Sequence, residues 1–75
     1  MKYEDIYKML TTTGSVYILD DYQEIAVRLE QDKKRTIAFA KRKGRSEFPA
    51  STSDKFIFDA EQEGVEITKK EYDTY

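Results

Sequence analysis

Residues 24–42 hold the pattern that leaves this chain least choice of fold. From Glu24 to Glu30, Ile25, Val27 and Leu29 alternate strictly with Ala26, Arg28 and Glu30, the period-two signature of a strand with one face buried. Arg35 to Arg42 repeats the pattern, with Ile37 and Phe39 on one side and Thr36, Ala38 and Ala40 on the other. Gln31, Asp32 and Lys33 lie between them as the loop of an antiparallel hairpin. Directly opposed residues share a face of the sheet, so register follows from parity. Pairing Val27 with Ile37 and Ile25 with Phe39 collects the large apolar side chains on one face. It also sets Glu30 across from Lys34, an opposite-charge rung worth a few tenths of a kcal/mol. A one-residue slip would set Ile37 against Arg28 and mix the faces.

The flanking segments supply the rest of an α+β domain. Tyr3, Ile6, Tyr7 and Leu10 recur at the spacing of one helical face, and Glu4 and Asp5 sit in the first turn where the helix dipole favours acids. This predicts a helix over residues 2–10, ended by three β-branched threonines and Gly14. Val16 to Leu19 is a first strand, closed by the turn pair Asp20-Asp21. After Lys41 the chain turns polar, through Pro49 and Ser51-Thr52-Ser53, and reads as loop or edge. Residues 54–64 fit either a helix, with Phe56, Ile57 and Ala60 as its stripe and Gly64 beyond its end, or a strand alternating Phe56, Phe58 and Ala60. A hairpin pairing Phe58 with Ile67 would oppose Asp59 and Glu66, so the helix is favoured, with Val65 to Ile67 as an extended link or edge strand. Thr68-Lys69-Lys70-Glu71 matches the capping box, which predicts a final short helix to about Thr74 anchored by Tyr72. The expectation is one domain, residues 1–75: a three- or four-stranded antiparallel meander packed with an N-terminal helix and one or two short C-terminal helices. Its core is Ile6, Leu10, Val16, Ile18, Ile25, Val27, Ile37 and Phe39.

Composition narrows the chemistry more than it suggests a function. A 75-residue chain builds a small core, which natural mini-proteins often supplement with disulfides, metals or a partner subunit. The chain has no cysteine and no histidine, which removes disulfides, thiolate and imidazole zinc sites, and the usual nucleophile–base pairs. No D-x-D-x-D-G calcium spacing occurs either. No cofactor, metal or catalytic residue is expected, and self-association as a homodimer is a remaining source of stability. There is no apolar leader and no run long enough to span a membrane, so the chain is expected to be cytoplasmic and complete. Six tyrosines and four phenylalanines argue for a packed fold.

The C-terminal phrase Phe58-Asp59-Ala60 through Gly64, then Ile67-Thr68 and Glu71-Tyr72, resembles the tail of small uncharacterised proteins of Gram-positive bacteria and their prophages. The resemblance covers residues 58–72. It implies a setting and assigns no activity or site.

Two surfaces stand out. Residues 33–45 carry seven of the thirteen bases and no acid: Lys33, Lys34, Arg35, Lys41, Arg42, Lys43 and Arg45. Bases on phosphates release counterions and give sequence-independent affinity, yet the whole chain has a net charge of −2 and lacks a helix-turn-helix, finger or aromatic RNA-binding strand motif. The same lysines also suit an edge that discourages aggregation. The second surface is the alanine face, where Ala26, Ala38 and Ala40 are flanked by Tyr17, Arg28 and Arg42. Alanine is disfavoured in strands, so something must pack closely there, either this chain's own second helix or another protein. The acids Asp20, Asp21, Glu24, Glu61, Glu63 and Glu66 have no motif behind them. The expected function is a non-enzymatic protein-interaction module that binds through the outer sheet face and basic rim, with Tyr17, Arg28, Lys34, Arg35, Lys41, Arg42, Lys43 and Arg45 as contacts. The alternative is nucleic-acid binding through residues 33–45.

Overall fold

Helix α1 spans Tyr3–Thr13 in the computed structural model, which describes residues 1–75. It runs three residues past the length expected from its apolar stripe. Each of the three threonines turns its hydroxyl back onto the helix, Thr11 and Thr12 donating to the Lys8 carbonyl at 3.0 and 2.7 Å and Thr13 to that of Met9 at 2.9 Å. These bonds absorb the hydroxyls that would otherwise compete with the backbone. Gly14 then stops the helix in the left-handed region, at φ 84°.

The strands β1 (Ser15–Asp20), β2 (Ile25–Asp32), β3 (Arg35–Arg42) and β4 (Phe48–Ala50) follow as a meander, then α2 (Lys55–Glu63), β5 (Val65–Ile67) and α3 (Lys69–Asp73). All pairings are antiparallel and the sheet order is β4-β3-β2-β1-β5. The α+β architecture is thus the expected one, with a fifth strand on the β1 edge. Pro49 lies in β4, at the opposite edge, where a missing N–H costs no ladder bond. Residues 55–63 are helical, and both halves of the capping box form: Thr68 Oγ1 accepts from the Glu71 amide at 3.1 Å, and the Glu71 carboxylate accepts from the Thr68 amide at 2.9 Å.

The β2–β3 register differs from the parity reading. Val27 pairs with Ala40, Ile25 with Arg42 and Glu30 with Ile37, and the ladder continues to Asp32 opposite Arg35. The loop is therefore Lys33-Lys34 alone, with Lys33 in the left-handed region at φ 58°. The pairing is offset by an odd number of residues, so β3 turns over: Ala38 and Ala40 join Ile25, Val27 and Leu29, while Ile37 and Phe39 go to the other face. Ala26 faces away from Ala38 and Ala40, and the three form no common patch, although all are buried.

Helices pack on both faces of the sheet, although the second face is covered only in part. On one face α1 and α2 pack Ile6, Leu10, Ile57 and Ala60 onto Val16, Ile18, Ile25, Val27, Leu29, Ala38 and Ala40. Ala38 and Ala40 belong to this core cluster, while the helices approach the sheet most closely over β1 and β2. On the other face the short α3 packs over β1 and β2, burying Tyr72. Here Phe39 takes the Arg28 guanidinium at 4.1 Å from its ring centroid, and Ile37 is half-buried.

Gly64 links α2 to β5 with an extended φ of −78°, so positive φ is not its role. A Cβ there would lie 2.5 Å from both the Ala60 carbonyl oxygen and Ile18 Cγ2. The residue is glycine because helix and strand meet over it. Gly64→Ala is expected to lower stability by about 1–3 kcal/mol, as overpacking does, measured by urea unfolding. An unchanged midpoint would show that the α2–β5 junction is looser than this packing.

Candidate functional site

The expected outer-face contacts, Tyr17 and Arg28, lie beneath α3 in a closed polar cluster. The Tyr17 and Tyr72 rings are 5.3 Å apart. Arg28 donates from Nε and Nη2 to the two oxygens of Glu47 at 2.9 and 2.8 Å, and it also pairs with Glu30. The Tyr72 hydroxyl completes the set, donating to Glu47 Oε2 at 2.6 Å. Electrostatics follow the geometry. The Arg28 guanidinium holds the Glu47 carboxyl below the usual carboxylate range, with help from Tyr72 and against burial. Burial and then the Glu47 carboxylate push the Tyr72 hydroxyl up. The cluster clamps β2, the β3–β4 connection and α3 together, and its side chains are already spent on one another. Helix α3 covers part of the outer face, and a cavity of about 260 Å³ bordered by Tyr17, Arg28, Glu47 and Tyr72 remains there.

The basic segment does not form one patch. An eight-residue strand is about 23 Å long, so Lys33, Lys34 and Arg35 stand at one end of β3 and Arg42, Lys43 and Arg45 at the other. Lys41 donates to the Asp73 carbonyl at 3.3 Å and sits 5.5 Å from the Tyr72 ring. Arg42 donates to the Gln23 carbonyl at 3.2 Å, beside the acidic β1–β2 turn. At the first end none of the three bases joins an ion pair, since the four pairs of the molecule engage only Arg28, Lys55 and Lys69.

Arg35 opens onto a groove of about 380 Å³ between α1 and α2. The helices are joined at one end, where the Met1 ammonium donates to the Gly64 carbonyl at 2.9 Å. Beside the start of β3 the groove is walled by Ile6 and Leu10 and by Thr36 and Thr52. Tyr3 and Tyr7 stand at its rim, 64% and 62% exposed although they share the apolar stripe of α1. At its base lies Glu61, a carboxylate on the Ile57–Ala60 face of α2, only 9% exposed. No hydrogen bond or ion pair reaches that side chain, although every fully enclosed polar side-chain atom in the molecule has a partner. The Glu61 oxygens therefore keep some access to solvent, and the residue lines the groove. Burial alone pushes its carboxyl above the usual range.

Of the expected contacts, only Arg35 belongs to this groove. Glu61 was legible as an acid on an apolar helical stripe, four residues after Ile57; the exposure of Tyr3 and Tyr7 was not. A second cavity of about 590 Å³ lies by the β1–β2 turn, and two of its four acids are engaged. Asp20 accepts from the Tyr22 and Gln23 amides at 3.1 and 3.2 Å and from Gln23 Nε2 at 2.7 Å, and Asp59 pairs with Lys55 at 2.8 Å. No group of three or more acids is placed to hold a metal ion, and no helix is long and apolar enough to cross a membrane. No family model, curated protein or solved structure matches the chain.

Two outcomes follow from this geometry. Glu61→Gln should raise stability at pH 7 by on the order of 1 kcal/mol, because it removes an unpaired buried charge. The folded chain holds the Glu61 proton to higher pH than the unfolded chain does, so the native protein recovers this loss as pH falls. The advantage of glutamine should vanish below the unfolded carboxyl value of about 4.3. Urea midpoints at pH 7 and pH 4 measure it; a gain that is the same at both would mean that the carboxylate has no such burden. For the split bases, binding to duplex DNA through three phosphates gives a log–log salt slope no steeper than about −2.7, whereas all seven acting together give about −6. Anisotropy titrations at several salt concentrations separate the two.

Proposed function

We propose that the chain is a small protein-interaction module that engages its partner, another protein or a second copy, through the α1–α2 groove. Tyr3, Tyr7 and Arg35 are the contact residues. The observation that carries this reading is the pair of exposed tyrosines on a helical face whose other members, Ile6 and Leu10, are buried. They border a groove walled by the buried Ile6 and Leu10, with a free guanidinium beside it. Tyrosine and arginine are enriched at binding hot spots because they join large contact area to polar handles. A cytoplasmic location and the phage-associated setting implied by the C-terminal phrase belong to the same proposal.

A photo-crosslinking residue in place of Tyr7, compared with one at Lys70 on α3, tests it inside cells. Adducts are expected at position 7 and not at 70, with the yield lowered about tenfold when Arg35→Ala and Tyr3→Ala are added. Equal labelling at both positions, or none at position 7, would sink the reading.

A further inference from the structure

The groove contains a group whose chemistry specifies what should enter it. Glu61 is nine-tenths buried, has no hydrogen-bond or ion-pair partner, and lines the cavity with a carboxylate that is not sealed within packed protein. A carboxylate in that position lacks both full hydration and a counter-charge, so the ligand group that gains most from it is a cation able to donate hydrogen bonds. The other faces of the cavity fit such a group. The α1 wall is Ile6 and Leu10, suited to an aliphatic stem, and the rings of Tyr3 and Tyr7 at the rim offer π faces to a passing cation. Thr36 and Thr52 add hydroxyls.

Arg35, from β3, is the one base lining the groove, and no base faces it from α1 or α2. It lies farther than 4 Å from the Glu61 carboxylate, since no ion pair joins them. The internal counter-ion is thus unused, and the base stays at the mouth, where it favours an acidic group beside the entering cation.

We infer that the α1–α2 groove receives a lysine side chain of the partner protein, with its ammonium on Glu61 and its methylene stem against Ile6 and Leu10. The inference rests on the interaction-module reading and specifies its ligand. The fit favours lysine over arginine because a compact ammonium at the end of a flexible apolar stem needs less room beside the Glu61 oxygens than a planar guanidinium fork. Binding requires ionised Glu61, so affinity falls as pH drops through the titration of that carboxyl. The other charged or titratable groups lining the cavity are Arg35, Tyr3 and Tyr7.

The experiment uses the full chain and two small probes, Nα-acetyl-lysine N-methylamide and the uncharged, similarly shaped Nα-acetyl-norleucine N-methylamide, followed by amide chemical shifts. The lysine probe is expected to produce saturable shifts around Thr36, Thr52 and Glu61. Its affinity should fall about tenfold in Glu61→Gln, a variant expected to be at least as stable as the native chain, and should fall in the native chain on acidification. Equal affinity for the two probes, undiminished binding to Glu61→Gln, or no saturable shift overturns the inference. If position 7 still forms adducts in cells, only the lysine assignment falls; if it does not, the partner and the assignment fall together.

Discussion

The pairing of Val27 with Ala40 governs the rest of the molecule. It is set at the Lys33-Lys34 turn, where one left-handed residue closes the hairpin. Because the side-chain period is two, this single choice decides which half of β3 faces the helices. With Ala38 and Ala40 inward, α1 and α2 can lie close to the sheet. The opposite register would put Ile37 and Phe39 there and push the helices outward.

The same choice builds the second face. Phe39, turned outward, lies under the Arg28 guanidinium, whose other contacts run to Glu30 and Glu47 and through Glu47 to Tyr72. A five-residue helix such as α3 is too short to be stable alone. It is held by the Thr68–Glu71 capping box, the buried Tyr72 and this charged cluster. Removing one member would leave partly buried charges without partners, which is more damaging than the pair is stabilising.

Against this background Glu61 is an exception. Elsewhere buried polar groups are satisfied: Asp20 by three hydrogen bonds, Arg28 by two carboxylates, Tyr72 by Glu47. Departures from otherwise consistent packing tend to mark functional positions, and this one coincides with a groove and two exposed tyrosines. The basic segment 33–45 gains a different meaning too, since only Arg35 of its seven bases reaches that groove.

Local pattern in the sequence determined the elements. Alternation marked β2 and β3, the i, i+3, i+4, i+7 stripe marked α1, and Thr68-x-x-Glu71 marked α3, because each signal depends on neighbours a few residues apart. The threonine hydroxyls that prolong α1 and the left-handed Lys33 were hidden, since neither residue type usually plays that part. Tertiary structure decided the register, the facing of the alanines, the partial cover of the Tyr17–Arg28 face by α3 and the separation of the bases. Those follow from which surfaces the helices cover, and parity within one hairpin cannot select a face when both faces of the sheet take up apolar side chains. The groove belongs to that second group: Glu61 was readable as an acid on an apolar stripe, but its lack of a partner depends on where α1 and β3 come to rest.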